Sequence, residues 1–280
     1  MKKDIKTIVY ICNKDFPKHG LEVGDVFPHY LYTKEAIEQA LKKGSIAIDN
    51  NFFYMALVAK KQKPKFNKDK AVSWSYFSSF RDYDKEQWYQ HYILGKPTPM
   101  NPEMEFGNKV GKSFCTSKPM ARVTRYEIME HEVRVTSING IKLFGYLDSY
   151  RKSGSFGVTV EQDGTQSPVP TKGKRSIREY KTGGMGKNQW SQKRVDKHDQ
   201  ITFYCLLAYL SEGIRPEDID IHLDWYPTKR DKRFKVCFVD DIDNNIVTFT
   251  TTRTLAQILK FDNEIAKVYK EMQEYVDNHK

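Results

Sequence analysis

The feature that most constrains this chain is Asn139-Gly140, set between two stretches that alternate apolar and polar residues, Arg122 to Ser137 and Ile141 to Tyr150. Asn and Gly tolerate the positive backbone angles of a tight turn, so the two stretches are expected to pair as an antiparallel hairpin. That hairpin carries Asp148 near the end of its second strand. A further short strand is expected at Ser176 to Lys181, where alternation puts Glu179 and Lys181 on one face and Tyr180 on the other. A carboxylate and an ammonium on one face can hold a metal ion and polarise a water beside it, and Asp148 is placed to add a second carboxylate. Glu-x-Lys alone is common on solvated strands. What gives it weight is the order of what surrounds it: Asp148, Glu179-x-Lys181, and then Gln200 and Tyr204 one turn apart on a helix that Asp196 or Asp199 would cap.

The composition narrows the class. With 280 residues, 39% hydrophobic and 29% charged, the chain has enough apolar material for a packed core and is not globally disordered. Its formal charge of +10 favours a polyanionic partner, although lysine-rich surfaces also serve solubility. No apolar run reaches the ~18 residues of a membrane span. The N-terminal Met1-Lys-Lys-Asp-Ile-Lys lacks the apolar stretch of a signal peptide, so the protein is expected in a cytoplasm. Cys12, Cys115, Cys205 and Cys237 are scattered without a Cys-x-x-Cys pair and read as free thiols.

Taken in order, residues 4 to 12 and 45 to 48 read as strands around a helix at 34 to 43, a small N-terminal α/β appendage over residues 1–65. Lysine-rich residues 60 to 70 read as an exposed linker, and 66–280 as the main domain. Ser73 to Tyr92 is dense in aromatic residues, suited either to core packing or to stacking of unpaired bases. Glu103 to Phe114 reads as a helix and 151 to 175 as a long polar loop. Strands follow at Ile219 to Tyr226, Phe234 to Val239 and Ile246 to Thr252, with Trp225-Tyr226 either edge-strand core or a stacking platform. A closing helix spans Leu255 to Val276, with Leu259, Ile265, Val268, Tyr269 and Met272 inward. Basic residues flank the Glu179 strand: Lys172, Lys174, Arg175 and Arg178 before it, and Lys187, Lys193 and Arg194, with Trp190 among them, after it. That is where a phosphate backbone would pass, and these residues form the expected nucleic-acid surface.

The series Gly145-x-x-Asp148, Glu179-x-Lys181, Gln200-x-x-x-Tyr204 resembles the core of the PD-(D/E)XK nucleases, specifically their RecB-type branch. Ser73-Trp-Ser75-Tyr-Phe77-Ser-Ser-Phe80 followed by Trp88-Tyr-x-x-Tyr92 resembles the leading helix of the same branch, so the likeness runs from about Ala71 to Leu210. The resemblance implies an α/β fold with a restriction-endonuclease-like core, a mixed central sheet flanked by helices. It also implies a metal-dependent DNA exonuclease of recombination, repair or processing. In that family the residues matching Asp148 and Glu179, with the carbonyl of Tyr180, bind Mg²⁺ or Mn²⁺. The match to Lys181 orients the attacking water, and the matches to Gln200 and Tyr204 lie beside the site. Single- or double-stranded DNA is the implied partner, and a recombination or replication protein is left open as a second. By analogy a compact single chain of this kind suits a phage acting in its host's cytoplasm.

Two departures stand out. RecB-type nucleases usually carry Gly-x-x-x-His on the helix corresponding to Glu103 to Phe114, with the His a metal ligand; here the series is Gly107-Asn-Lys-Val-Gly111. Glu105 is the alternative ligand on that helix, or merely complements the helix dipole. Some relatives hold an iron–sulfur cluster through cysteines at both ends of the domain. The leading segment here has none, and no cluster is expected. The alternative readings are a RecB-like module that has lost catalysis and binds or scaffolds DNA, and a structural DNA-end or packaging component.

Overall fold

The computed structural model describes residues 10–12, 42, 46–48 and 66–279, apart from 99, 153–155, 171–173, 187–188 and 234. The chain divides into two compact units, Met1–Pro64 and Lys65–Lys280. In the first, β1 (Tyr10–Cys12) pairs antiparallel with β2 (Ile46–Ile48). Lys42 is helical, and the rest of the helix expected at 34 to 43 lies outside the described residues.

The second unit begins with Phe66, which is buried and meets the Tyr269 ring edge-on at 5.1 Å, so the end of the expected linker is packed. Ser73 caps α1 (Trp74–Asp82), its hydroxyl accepting from the Tyr76 amide. Next come α2 (Lys85–Trp88), which runs into a π-helical turn at Tyr89–Ile93, and α3 (Pro102–Phe114), started by Asn101 with Pro102 in its first turn. Tyr76, Phe77, Phe80, Trp88 and Tyr89 are all buried, so the aromatic density here builds core. Trp225 and Tyr226 are buried as well, which removes the stacking-platform alternative.

The strands that follow are β3 (Val123–Arg125), β4 (Ile128–Thr136), β5 (Lys142–Arg151), β6 (Phe156–Val160), β7 (Gln166–Pro170) and β8 (Arg175–Gly184). The hairpin at Asn139-Gly140 is β4–β5. Only Gly140 takes positive φ (+80°), and the Ser137 amide donates to the Ile141 carbonyl, closing a three-residue loop. Asn139 instead donates through its side chain to Asp262. Two expectations are corrected. Arg122 to Ser137 is two strands in separate sheets, broken where the Tyr126 amide turns to the Ser149 hydroxyl. The polar stretch 151 to 175 is largely a hairpin, β6–β7, which pairs with β3. Its turn residues mimic a loop signal, and Pro168 and Pro170 are tolerated because β7 is an edge strand.

The chain continues with α4 (Gln192–Asp196), α5 (Asp199–Glu212), β9 (Ile219–Arg230), β10 (Val236–Phe238), α6 (Ile242–Asn245), β11 (Val247–Thr251) and α7 (Leu255–Asn278). The N-cap of α5 is His198, without a side-chain bond. Asp196 belongs to α4, and Asp199 pairs with Arg81 at 2.8 Å, so neither aspartate caps α5. On α7, Ile258 rather than Leu259 faces inward; Leu259 is exposed.

The main sheet has six strands in the order β10-β9-β8-β5-β4, with β11 also pairing β9. Only β8 and β9 are parallel. Successive residues of β8 reach opposite faces: Glu179 meets Gln200 of α5, while the Tyr180 ring meets Phe114 of α3. Helices therefore cover both faces of a mixed α/β sheet. α5 is buried through Gln200–Ala208, as expected of a helix held between the sheet and α7. Among the described residues no helix is long and apolar enough to cross a membrane.

Candidate active site

The site opens where β5 and β8 part. Their ladder pairs Arg151 with Ser176, Tyr150 with Ile177 and Ser149 with Arg178, and then stops. The next positions across the gap are Asp148 and Glu179. Asp148 spans the gap by accepting from the Tyr180 amide at 3.0 Å, standing in for the lost ladder bond. Beyond it lies a cavity of about 620 Å³ lined by Asp148, Glu179, Tyr180, Lys181, Gln200 and Tyr204, among others. All five residues expected to be catalytic thus share one cavity.

The polar contacts converge on Glu179, which is 2% exposed. Its Oε1 lies 2.5 Å from the Lys181 ammonium and accepts from Gln200 Nε2 at 3.0 Å. Gln200 Nε2 is also 2.7 Å from the Tyr204 hydroxyl. No N–H or O–H donor reaches Glu179 Oε2 despite its burial, and the Glu179 carboxyl hydrogen-bonds to that of Asp148 when it carries a proton. Arg253 fixes where α5 begins, donating to the carbonyls of Val195 and His198 and to the Thr202 hydroxyl. Gln200 is thereby delivered to Glu179.

Burial, and then repulsion from Asp148, pushes the Glu179 carboxyl up to about 8 against the pull of Lys181. Burial also raises Asp148, partly offset by Lys181 and the Tyr180 amide. For Lys181 burial works downward, but the two carboxylates outweigh it and raise its pKa. Two carboxyls that repel each other, Glu179 buried and Asp148 half-buried, form an all-oxygen donor set suited to a hard divalent cation. Among the described residues, no three His, Cys, Asp or Glu side chains converge tightly enough to cage an ion.

Other expected residues fall elsewhere. Glu105 is exposed in the first turn of α3 and does not line the cavity, whereas Glu103, Met104, Gly107, Asn108 and Gly111 do. Helical geometry turns Glu105 away from that face. A Cβ at Gly111, the position of the missing histidine, would meet open space. Arg178 is not available to phosphate: it is buried and grips Asp224 with its Nη1 2.6 and 2.7 Å from the two carboxylate oxygens. Arg175 is half-buried and pairs with Glu212. It and exposed Lys174 stand at the far end of β8, roughly 20 Å along the strand from Lys181. Trp190 is buried between Gly183 and His198, with the Arg194 guanidinium over its ring. Lys193 and Arg194 are exposed and line a second cavity with Tyr83 and Lys197. Lys172 and Lys187 lie outside the described residues.

A further carboxylate of the cavity carries no local sequence signal. Glu130 of β4 lines the same cavity and has φ +49°, a left-handed conformation rare for glutamate. Alternation breaks at this level in both strands of the hairpin. Ile128, Val133 and Val135 of β4 pack in the same cluster as Leu143, Leu147 and Tyr150 of β5, and the odd spacings 128 to 133 and 147 to 150 require each strand to switch face. Nothing in Ile128-Met-Glu-His131 signals such a break. In comparisons with known proteins, no protein-family model matches the chain and no curated protein is similar to it in sequence.

Proposed function

We propose that this chain is a metal-dependent deoxyribonuclease of the PD-(D/E)XK type, with a restriction-endonuclease-like core, acting on DNA ends. The observation that carries the reading is the close pair of carboxyls, buried Glu179 and Asp148, with no N–H or O–H donor to Glu179 Oε2 and Lys181 held 2.5 Å from its other oxygen. The antiparallel β4-β5-β8 set followed by parallel β9, helices on both faces, and a net charge of +10 suited to a polyanion support it. Asp148, Glu179 and the Tyr180 carbonyl would hold Mg²⁺ or Mn²⁺, which when bound neutralises charge on the scissile phosphate and lowers the pKa of water.

The chain's own residues do the rest. Gln200 holds Glu179 in place, and Tyr204 orients Gln200. Lys181 projects its ammonium into the cavity, where it steers a water for in-line attack and keeps the carboxylates charge-compensated. Exposed Lys193 and Arg194 offer phosphate contacts beyond the cavity.

The test incubates end-labelled linear and closed circular DNA, single- and double-stranded, with Mg²⁺, Mn²⁺ or EDTA. The expected result is ion-dependent loss of linear DNA by the wild type, and none by Lys181→Ala, which still binds DNA. Nicked circles would make it an endonuclease. Turnover by Lys181→Ala at the wild-type rate would remove Lys181 from catalysis. No cleavage by the wild type with either ion, but salt-sensitive DNA binding, would replace the proposal with a DNA-binding module.

A further inference from the structure

Glu130, Asp148 and Glu179 stand in one row across three neighbouring strands. Met129 pairs with Ser149 and His131 with Leu147, so Glu130 faces Asp148; Ser149 pairs with Arg178, so Asp148 faces Glu179. Neither rung is hydrogen-bonded, and all three residues line the same cavity. Glu130 is the one of the three that is exposed, so a side-chain rotation rather than a preformed cage would bring it to an ion held at the other two.

In the metal-free fold this arrangement is unfavourable twice over. Like charges opposite each other repel, and Glu130 is felt electrostatically at Asp148. Its positive φ is strained for a glutamate. Among the described residues its side chain makes no hydrogen bond or ion pair that would offset either effect, and it is exposed, so its rotamers are free to swing toward the row. A second observation points to a cation: no N–H or O–H donor reaches Glu179 Oε2, 2% exposed and in the same cavity, so the Glu179 and Asp148 carboxyls are left to hydrogen-bond to each other through a shared proton.

We propose that Glu130 is a third carboxylate ligand for the divalent cation, closing onto it from β4 when the ion enters between Asp148 and Glu179. The inference rests on the metal-dependent reading above. It assigns to the first strand of the hairpin the role that the glycine at position 111 cannot play from α3.

The probe is Mn²⁺ alone, titrated calorimetrically into the full chain and into Glu130→Gln, Glu130→Gly and Asp148→Asn, with thermal melts in EDTA and in Mn²⁺. Glu130→Gln keeps size and removes charge; Glu130→Gly also relieves the backbone. Both should weaken Mn²⁺ binding, by about 10–100-fold on the scale of groups that support a bound metal. Glu130→Gly should in addition melt higher than the wild type in EDTA and gain less from Mn²⁺. Both variants binding Mn²⁺ within twofold of the wild type, while Asp148→Asn loses it, would overturn the role of Glu130 and leave the nuclease proposal standing. A wild type that binds Mn²⁺, is weakened by both variants and yet cleaves no DNA would support the ligand and refute the nuclease. No Mn²⁺ binding by the wild type would overturn both.

Discussion

Replacing Glu179 by glutamine should stabilise the protein in EDTA at neutral pH while abolishing the proposed metal-dependent cleavage. The carboxyl has a pKa of about 8 in the fold, against 4.5 for an unperturbed glutamate. Because the folded value is the higher, the stabilisation carried by the protonated form is complete below about pH 4.5 and is lost as pH rises toward 8. At pH 7 the 2.5 pH units above 4.5 correspond to about 3 kcal/mol withheld from the fold, at ~1.4 kcal/mol per unit. Glutamine carries no such penalty but gives up the protonated carboxyl's hydrogen bond to Asp148, so the net gain should be about 2 kcal/mol. For a unit of this size that raises Tm by about 4–8 °C. At pH 5 the same arithmetic leaves under ~1 kcal/mol, and the advantage should vanish. Scanning calorimetry of both proteins in EDTA at pH 5, 7 and 8.5 makes the comparison. A Glu179→Gln protein no more stable than the wild type at pH 7, or a gain of the same size at pH 5, would refute the claim that a buried, repelled carboxyl destabilises the fold.

Two further outcomes test how the site is supported. Arg178→Met should cost about 3–5 kcal/mol in urea denaturation, because it leaves Asp224 buried with only the Thr248 hydroxyl as side-chain donor. Arg178→Met/Asp224→Leu should recover most of that loss, and a single variant costing under 1 kcal/mol would return Arg178 to the list of surface cations. Gly145→Ala should cost about 1–3 kcal/mol, since its Cβ would lie 2.7 Å from Leu207 Cδ1. Trimming the obstruction with Leu207→Val should relieve part of the loss, and no relief would mean that the glycine is required for another reason.

The row of carboxylates also bears on how the proposed active site is built. The break in the β5–β8 ladder leaves the Tyr180 amide without a strand partner, and Asp148 supplies one. The same break exposes Glu179 to the cavity while α5 seals its other side. Strand separation therefore does two things at once. It opens the cavity, and it holds one carboxylate by a backbone donor.

Local pattern was enough for much of this. Alternation put Glu179 and Lys181 on one face, the Asn139-Gly140 turn joined the strands that carry Asp148, and the four-residue spacing of Gln200 and Tyr204 put both on one side of α5; each depends only on the period of its own element. What local pattern could not supply was the partner of each side chain. Arg178 read as a phosphate contact because it is basic and close in sequence to Glu179, but its fate was decided by Asp224, 46 residues away, which the parallel β8–β9 pairing brings within reach. Trp190 read as surface because its neighbours are polar, yet the fold closes over it. Glu130 was invisible because its proposed role comes from register across three strands and from a face switch that violates alternation in two of them. Periodicity assigns a residue to a face; only tertiary packing decides what that face meets, because opposing charges and strand registers are set by segments far apart in the chain.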